Sequence, residues 1–317
     1  MKLTIYLFVL TLLLSACQNT KEPEWTYEAF FEQAFEIIKQ ESIKKNDINW
    51  AALKLDVKDS ITRFASNQDA YDAIKYTVEL IDDGHSVFVD ATTPNRLSTD
   101  TISIPQIKTD IVGDSIGYLK LPGLVANDSI THQYSSVIRK ALLDLDKSAA
   151  LSGWIIDLRE NSGGKLGSEC LGLAPLFSDT LVGLSRNNQN ELRTIVCKND
   201  RFYFGEVLVD TLICDRSLSN HDKKVAVLTS NNTVSAGEFL ALAFMFQDST
   251  RVFGTRTRGK TSHLQLMTFK SNALLLLAVE EYCDINKNSV PDGVYPEVEC
   301  LSEDCITEAI DWIESAT

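Results

Sequence analysis

Two short runs, residues 154–158 (WIIDL) and 225–229 (VAVLT), most constrain how this chain can fold. Both are apolar at nearly every position instead of at alternate ones. A strand with one wet face alternates polar and apolar side chains, so a strand that fails to alternate is buried on both faces. Such strands need a layer on each side of their sheet. Helical patterns supply the layers. Residues 131–145 place Tyr134, Val137, Ile138, Ala141, Leu142 and Leu145 on one face, residues 165–177 read as helical, and residues 236–246 are apolar almost throughout. Strands are also expected at 116–121, 264–269 and 272–279. This order of elements predicts α/β layering with a substantially parallel core. Residues 186–219 lack clean periodicity and read as an insertion.

Ahead of the core the pattern is helical. Residues 25–45 carry Phe30, Phe31, Ala34, Phe35, Ile37 and Ile38 between charges, and residues 69–81 align Ala70, Ile74, Val78 and Ile81. The expected organisation is a helical N-terminal unit over 24–90 and a core domain over 91–317. Residues 91–110, rich in Thr, Ser, Pro and Asp, form a connection with a short strand.

The first residues read as an address. Lys2 is followed by an apolar stretch over 3–14, too short to span a membrane comfortably, and then by Leu14-Ser15-Ala16-Cys17. This resembles a bacterial lipobox. The resemblance implies a signal peptide over 1–16, removed on export, and a lipidated Cys17 followed by a polar tether over 17–23. Several acyl chains at about 0.8 kcal/mol per buried CH₂ anchor a protein durably. Gln18 after the cysteine suggests, by analogy, sorting to the outer membrane. The chain is therefore expected in the cell envelope, held to the membrane through the lipid.

Charge and cysteine content narrow the function. With 30 basic and 44 acidic residues the net charge is −14, a surface that repels phosphate backbones, so no nucleic-acid partner is expected. Outside the N-terminus no apolar run approaches the roughly 18 residues of a membrane span. Beyond Cys17 there are six cysteines, enough for one to three bridges in an oxidising compartment. Cys197 with Cys214 and Cys300 with Cys305 are the close pairs. No metal or other cofactor is expected: no Cys-x-x-Cys occurs and His85, His132, His221 and His263 are scattered. Asp284, Asn286 and Asn288 open like a calcium loop, but the glycine and the terminal glutamate that such a loop needs are missing.

Chemistry is expected where buried strands end. After 225–229 the chain runs through a polar loop to Ser235, where a helix begins. A helix N-terminus offers unpaired N–H groups and partial positive charge. A serine there is placed to attack a carbonyl, with the N–H of Ala236 beside the developing oxyanion. From the local pattern alone, a simple N-cap is the plainer reading of Ser235. After 154–158, Gly163 and Gly164 allow a tight turn that exposes N–H groups. Glu238, in the first turn after Ser235, reads as a partner for the helix dipole.

Taken together and in order, DGHS at 83–86, IGYLKLPGL at 116–124, GWIIDLRENSGG at 153–164, VLTSNNTVSAGE at 227–238, GTRTRGKTS at 254–262 and DGVYPEV at 292–298 resemble the C-terminal processing (tail-specific) and tricorn-like serine peptidases. The resemblance implies a ββα-spiral core of the ClpP/crotonase type and Ser235 as nucleophile. It also implies an oxyanion hole from Ala236 and one of Gly163 or Gly164. Two residues stand as general base. Lys260, in Gly259-Lys260, resembles the lysine of the processing branch, though Thr261 replaces the glycine that follows it there. His85 matches the histidine of the tricorn-like branch, though Val290 stands where that branch has a glutamate. A lysine must be desolvated to serve, whereas histidine titrates near neutrality. The reading leans to His85. About 30 residues separate His85 from the 116–121 strand, too few for the PDZ domain many processing peptidases carry there.

The expected activity is hydrolysis of peptide bonds in protein or peptide substrates through an acyl-enzyme. Two rivals use the same fold: a non-catalytic envelope lipoprotein that binds peptide or glycan, and a hydrolase of small esters.

Overall fold

The computed structural model describes residues 26–94, 99, 101–213, 218 and 223–315. The expected signal, Cys17 and its tether lie outside the described residues, as do Cys214 and His221.

Helix α1 (Tyr27–Glu41) starts where the Thr26 hydroxyl accepts the Ala29 N–H. Helix α2 (Trp50–Ser60) was not expected from the sequence; six of its eleven residues are apolar, yet only Leu53 and Val57 are buried. Helix α3 (Asn67–Ile81) opens on a capping box between Ser66 and Asp69. The three helices do not close a core by themselves. Phe30, Phe31, Phe35, Ile38 and Ile74 share one cluster with Phe88, Leu275 and Leu277 of a β-sheet and with Phe269 in one of its turns.

That sheet is antiparallel throughout. Strands β1 (Val87–Val89), β5 (Leu181–Asn187), β6 (Leu192–Lys198), β7 (Arg201–Phe204), β8 (Val207–Thr211), β11 (Ser262–Thr268) and β12 (Leu274–Cys283) form it in the order β1-β12-β5-β6-β7-β8, with β11 also on β12. The stretch read as an insertion is thus mostly a meander of the sheet. The second sheet follows the predicted parallel plan. Strands β2 (Lys108–Val112), β3 (Ile116–Lys120), β4 (Gly153–Asp157), β9 (Lys224–Thr229), β10 (Thr250–Gly254) and β13 (Val298–Glu299) run in the order β13-β10-β9-β4-β3-β2, all pairs parallel except β2 with β3.

The two non-alternating runs are β4 and β9, at the centre of this parallel sheet. Val225 and Val227 belong to the cluster with α4 (Asp128–Ser148), α5 (Leu166–Leu173) and α6 (Ala236–Met245), while Ala226 and Leu228 meet α7 (Asp304–Glu314) on the opposite face. Burial on both faces is what the missing alternation required. Each such Val or Leu contributes about 1.5–3 kcal/mol on burial. The expected pair Cys300–Cys305 is bridged, Cα atoms 5.2 Å apart, tying the end of β13 to α7. Cys197 is a buried free thiol.

Candidate active site

The carboxyl ends of β4 and β9 lie side by side, and the loops leaving them are stitched together. The Thr233 hydroxyl donates to the Leu158 carbonyl at 2.8 Å, the Ser230 hydroxyl to the Arg159 carbonyl at 2.6 Å, and the Val234 N–H to the Asn161 carbonyl at 2.9 Å. In open α/β sheets this is where ligands are held.

Ser235 sits immediately before α6 with φ +53° and ψ −111°. A capping serine ordinarily takes extended backbone, whereas the left-handed region costs a non-glycine residue of the order of 1–3 kcal/mol. The surroundings enforce it. Glu238, fully buried, accepts the Ser235 N–H at 2.9 Å and the Lys260 N–H at 2.8 Å on Oε2. Its Oε1 accepts the Gly259 N–H at 2.7 Å and the Thr257 hydroxyl at 2.5 Å. The glutamate read as a dipole partner thus joins the start of α6 to the 257–260 loop.

Gly163 has φ +94°, and a Cβ there would lie 3.0 Å from the Cβ of Ser235. The turn therefore needs glycine both for its dihedral and for its approach to the serine. Its N–H is occupied, donating to Asn161 Oδ1 at 2.9 Å. Gly164 is as tightly held, since a Cβ would fall 2.5 Å from the Leu124 carbonyl oxygen. Ser235, Ala236 and Gly164 line one cleft of about 620 Å³, together with Lys165, Ser262 and His263. The Ala236 N–H, at the first position of α6, has no intrahelical acceptor. Of the residues proposed to bind an oxyanion, Ala236 and Gly164 face the cleft.

His85 and Lys260 come to the same neighbourhood but not to Ser235. The imidazole Nδ1 of His85 is 2.8 Å from the Ser262 hydroxyl, and its backbone N–H donates to Asp83 at 2.9 Å. Burial, then the positive charge of Lys260, lowers its pKa to about 4, against the opposing pull of Asp83. Neither side chain is hydrogen-bonded to the Ser235 hydroxyl. Ser262 and His263, which sequence reasoning left without a role, line the cleft. His263 stacks on Phe204 at 4.3 Å, with Arg193 5.3 Å from the same ring and paired to Glu280 at 2.9 Å. Burial and then Arg193 bring the pKa of His263 to about 4. The buried Asn161 and Glu169 were also missed; a polar residue beside a glycine pair was the available signal.

Residues 115–300 match the profile of peptidase family S41. The chain belongs to that family. It is 27% identical over 209 residues to the nisin-resistance protein of Lactococcus lactis, covering 66% of this chain and 63% of that one. It is 24% identical over 207 residues to a carboxy-terminal-processing protease of Bartonella bacilliformis, covering 64% of this chain and 42% of the relative. The chain thus spans less than two thirds of either. Among solved structures, a lipoprotein from Streptococcus agalactiae superposes with a TM-score of 0.77 over 98% of this chain and 99% of that one, at 17% identity. At that identity the likeness establishes the fold, a helical front followed by the sheet core.

Proposed function

We propose that this protein is a lipid-anchored serine endopeptidase of the cell envelope. The observation that carries the reading is Ser235, held in left-handed backbone at the mouth of α6 and open to the cleft beside Ala236 and Gly164. In this reading the Ser235 hydroxyl attacks a peptide carbonyl, and the N–H groups of Ala236 and Gly164 hold the oxyanion. Removing one such donor costs about 10²–10³ in rate. His85 takes the serine proton. It is neutral at physiological pH, and in the tautomer whose Nδ1–H donates to the Ser262 hydroxyl, Nε2 is the nitrogen that accepts. Substrate binding closes the remaining distance, since catalytic hydrogen bonds are often long in the free enzyme. Lys260 is the other base to test. The acyl-enzyme is then released by water. The relative named for nisin resistance puts nisin among the first substrates to try.

Cleavage of unfolded protein and peptide libraries by wild type and Ser235→Ala tests the mechanism, with loss of activity expected in the variant. His85→Ala against Lys260→Ala assigns the base. The missing bond between Ser235 and either base favours a second reading, a non-catalytic peptide-binding lipoprotein. A fluorophosphonate probe decides between them: an activated Ser235 is labelled, an inert one is not. Metabolic lipid labelling of wild type and Cys17→Ser tests the anchor, and its absence from both sinks that part of the reading.

A further inference from the structure

The Gly163–Gly164 turn is held from below by a second polar pair that the mechanism above does not use. Asn161 is fully buried, and besides its own N–H, which donates to the Leu158 carbonyl at 2.9 Å, it makes three connections. Its carbonyl accepts the Val234 N–H next to the serine, its side-chain oxygen accepts the Gly163 N–H, and its side-chain NH₂ donates to Glu169 Oε2 at 3.1 Å. Glu169, on α5, is 1% exposed. Its other oxygen, Oε1, has no hydrogen-bond partner among the described residues and lies against Gly164, where a Cβ would be 2.7 Å from it.

We propose that Glu169 is a neutral carboxylic acid that, through Asn161, positions the Gly163–Gly164 turn against Ser235, and that its ionisation disables the turn. The inference rests on the peptidase reading for its catalytic consequence. An unpartnered anionic oxygen in this site would face two penalties. It would be buried without compensation, and it would place negative charge under the N–H meant for an oxyanion.

Only the Asn161 amide and the Leu124 N–H favour the anion, and among the described residues no cation is one of the groups acting on it. Asn161 approaches from the β4–α5 loop, Tyr134 from α4 and Cys170 from α5, and both Tyr134 and Cys170 are themselves pushed toward their neutral forms by burial and then by charge on neighbours that include Glu169. The nearest lysine along α5, Lys165, is turned outward to Asp128 and Asp210. Burial, the largest influence, raises the Glu169 pKa to about 8 against the opposing Asn161 amide and Leu124 N–H.

The test has an arm that needs no activity. The infrared carbonyl band of a buried neutral carboxylic acid is recorded on the full chain at pH 6.5 and pH 9. Wild type should show the band at the lower pH and lose it at the higher, and Glu169→Gln should lack it at both. In the second arm, fluorophosphonate labelling of Ser235 is followed over the same range. At pH 9 a group titrating at about 8 is roughly nine-tenths ionised, so wild type should lose about tenfold relative to Glu169→Gln. Labelling without the band, or an alkaline fall unchanged in Glu169→Gln, overturns the proposal and leaves the peptidase reading intact. The band without any labelling overturns the peptidase reading and supports the neutral acid. Should Glu169→Gln fail to fold, the pH-dependent band of wild type alone decides, and its absence is fatal.

Discussion

Ser235 carries its strain because of what surrounds it. Its φ of +53° persists only while Glu238 gathers four donors from two loops. Glu238→Ala would leave one buried and three half-buried donors unanswered, and hydrogen bonds to a charged group contribute about 1.5–3 kcal/mol each without adding fully. The expected loss is more than about 3 kcal/mol in urea denaturation, with labelling of Ser235 abolished even in the fraction that folds. Gly163→Ala acts differently. The added methyl would meet the Ser235 Cβ at 3.0 Å, on a residue whose φ of +94° already excludes a side chain. The serine and the turn must separate, so the acylation rate should fall by about 10²-fold or more, as for loss of an oxyanion donor. A Gly163→Ala enzyme that acylates like wild type would show that the turn does not need this approach.

At the level of elements, the disulfide is the simplest lever. Cys300–Cys305 closes a very short loop, for which the chain-entropy estimate is about 2 kcal/mol. Cys305→Ser should lower stability by about that amount and expose the α7 face of the parallel sheet to earlier hydrogen exchange. Unchanged exchange along β9 and β10 would mean that α7 holds without its staple. The same scale separates what could be read from the sequence from what could not. β4, β9 and α6 were legible because unbroken apolar runs mark burial on all sides, and α4 because a stripe of apolar residues marks burial on one. The β5–β8 meander was not. In β6 Ile195 and Cys197 are buried between exposed residues, and in β8 Val207, Leu208 and Val209 all lie open to solvent, so hydrophobicity and burial part company there. The strand end and the glycine pair were local signals, but by themselves they left Ser235 a plain N-cap; the roles expected of Ser235, Ala236 and one of Gly163 or Gly164 came from the ordered motifs that resemble the serine peptidases. Asn161 and Glu169 act across loops, and their burial has no local signature.

For the molecule as a whole, buried titratable groups with opposite signs set the pH at which it is most stable. His85 and His263 have folded pKa values of about 4, below the ordinary 6.5. The stability they contribute is complete above about pH 6.5 and is lost as pH falls through 4, because the unfolded chain takes up their protons first. Glu169 is raised from 4.5 to about 8, so its contribution is complete below about pH 4.5 and is lost as pH climbs through 8. Between 4.5 and 6.5 two histidines work against one glutamate, and stability should rise. Between 6.5 and 8 the histidines have finished and the glutamate continues, so stability should fall. Asp90 and Asp157 are lowered, so they act below this window, and the thiol of Cys197, pushed up to about 12, acts above it. A maximum near pH 6.5 is therefore expected in urea midpoints taken from pH 5 to 8.5. Glu169→Gln should remove the alkaline decline and keep the acid one. His263→Phe, which preserves the stack on Phe204, should weaken only the acid side. A wild-type curve that stays level from 6.5 to 8, or a Glu169→Gln curve that declines in parallel with it, would mean that the carboxyl beneath the Gly164 turn is ionised in the native state.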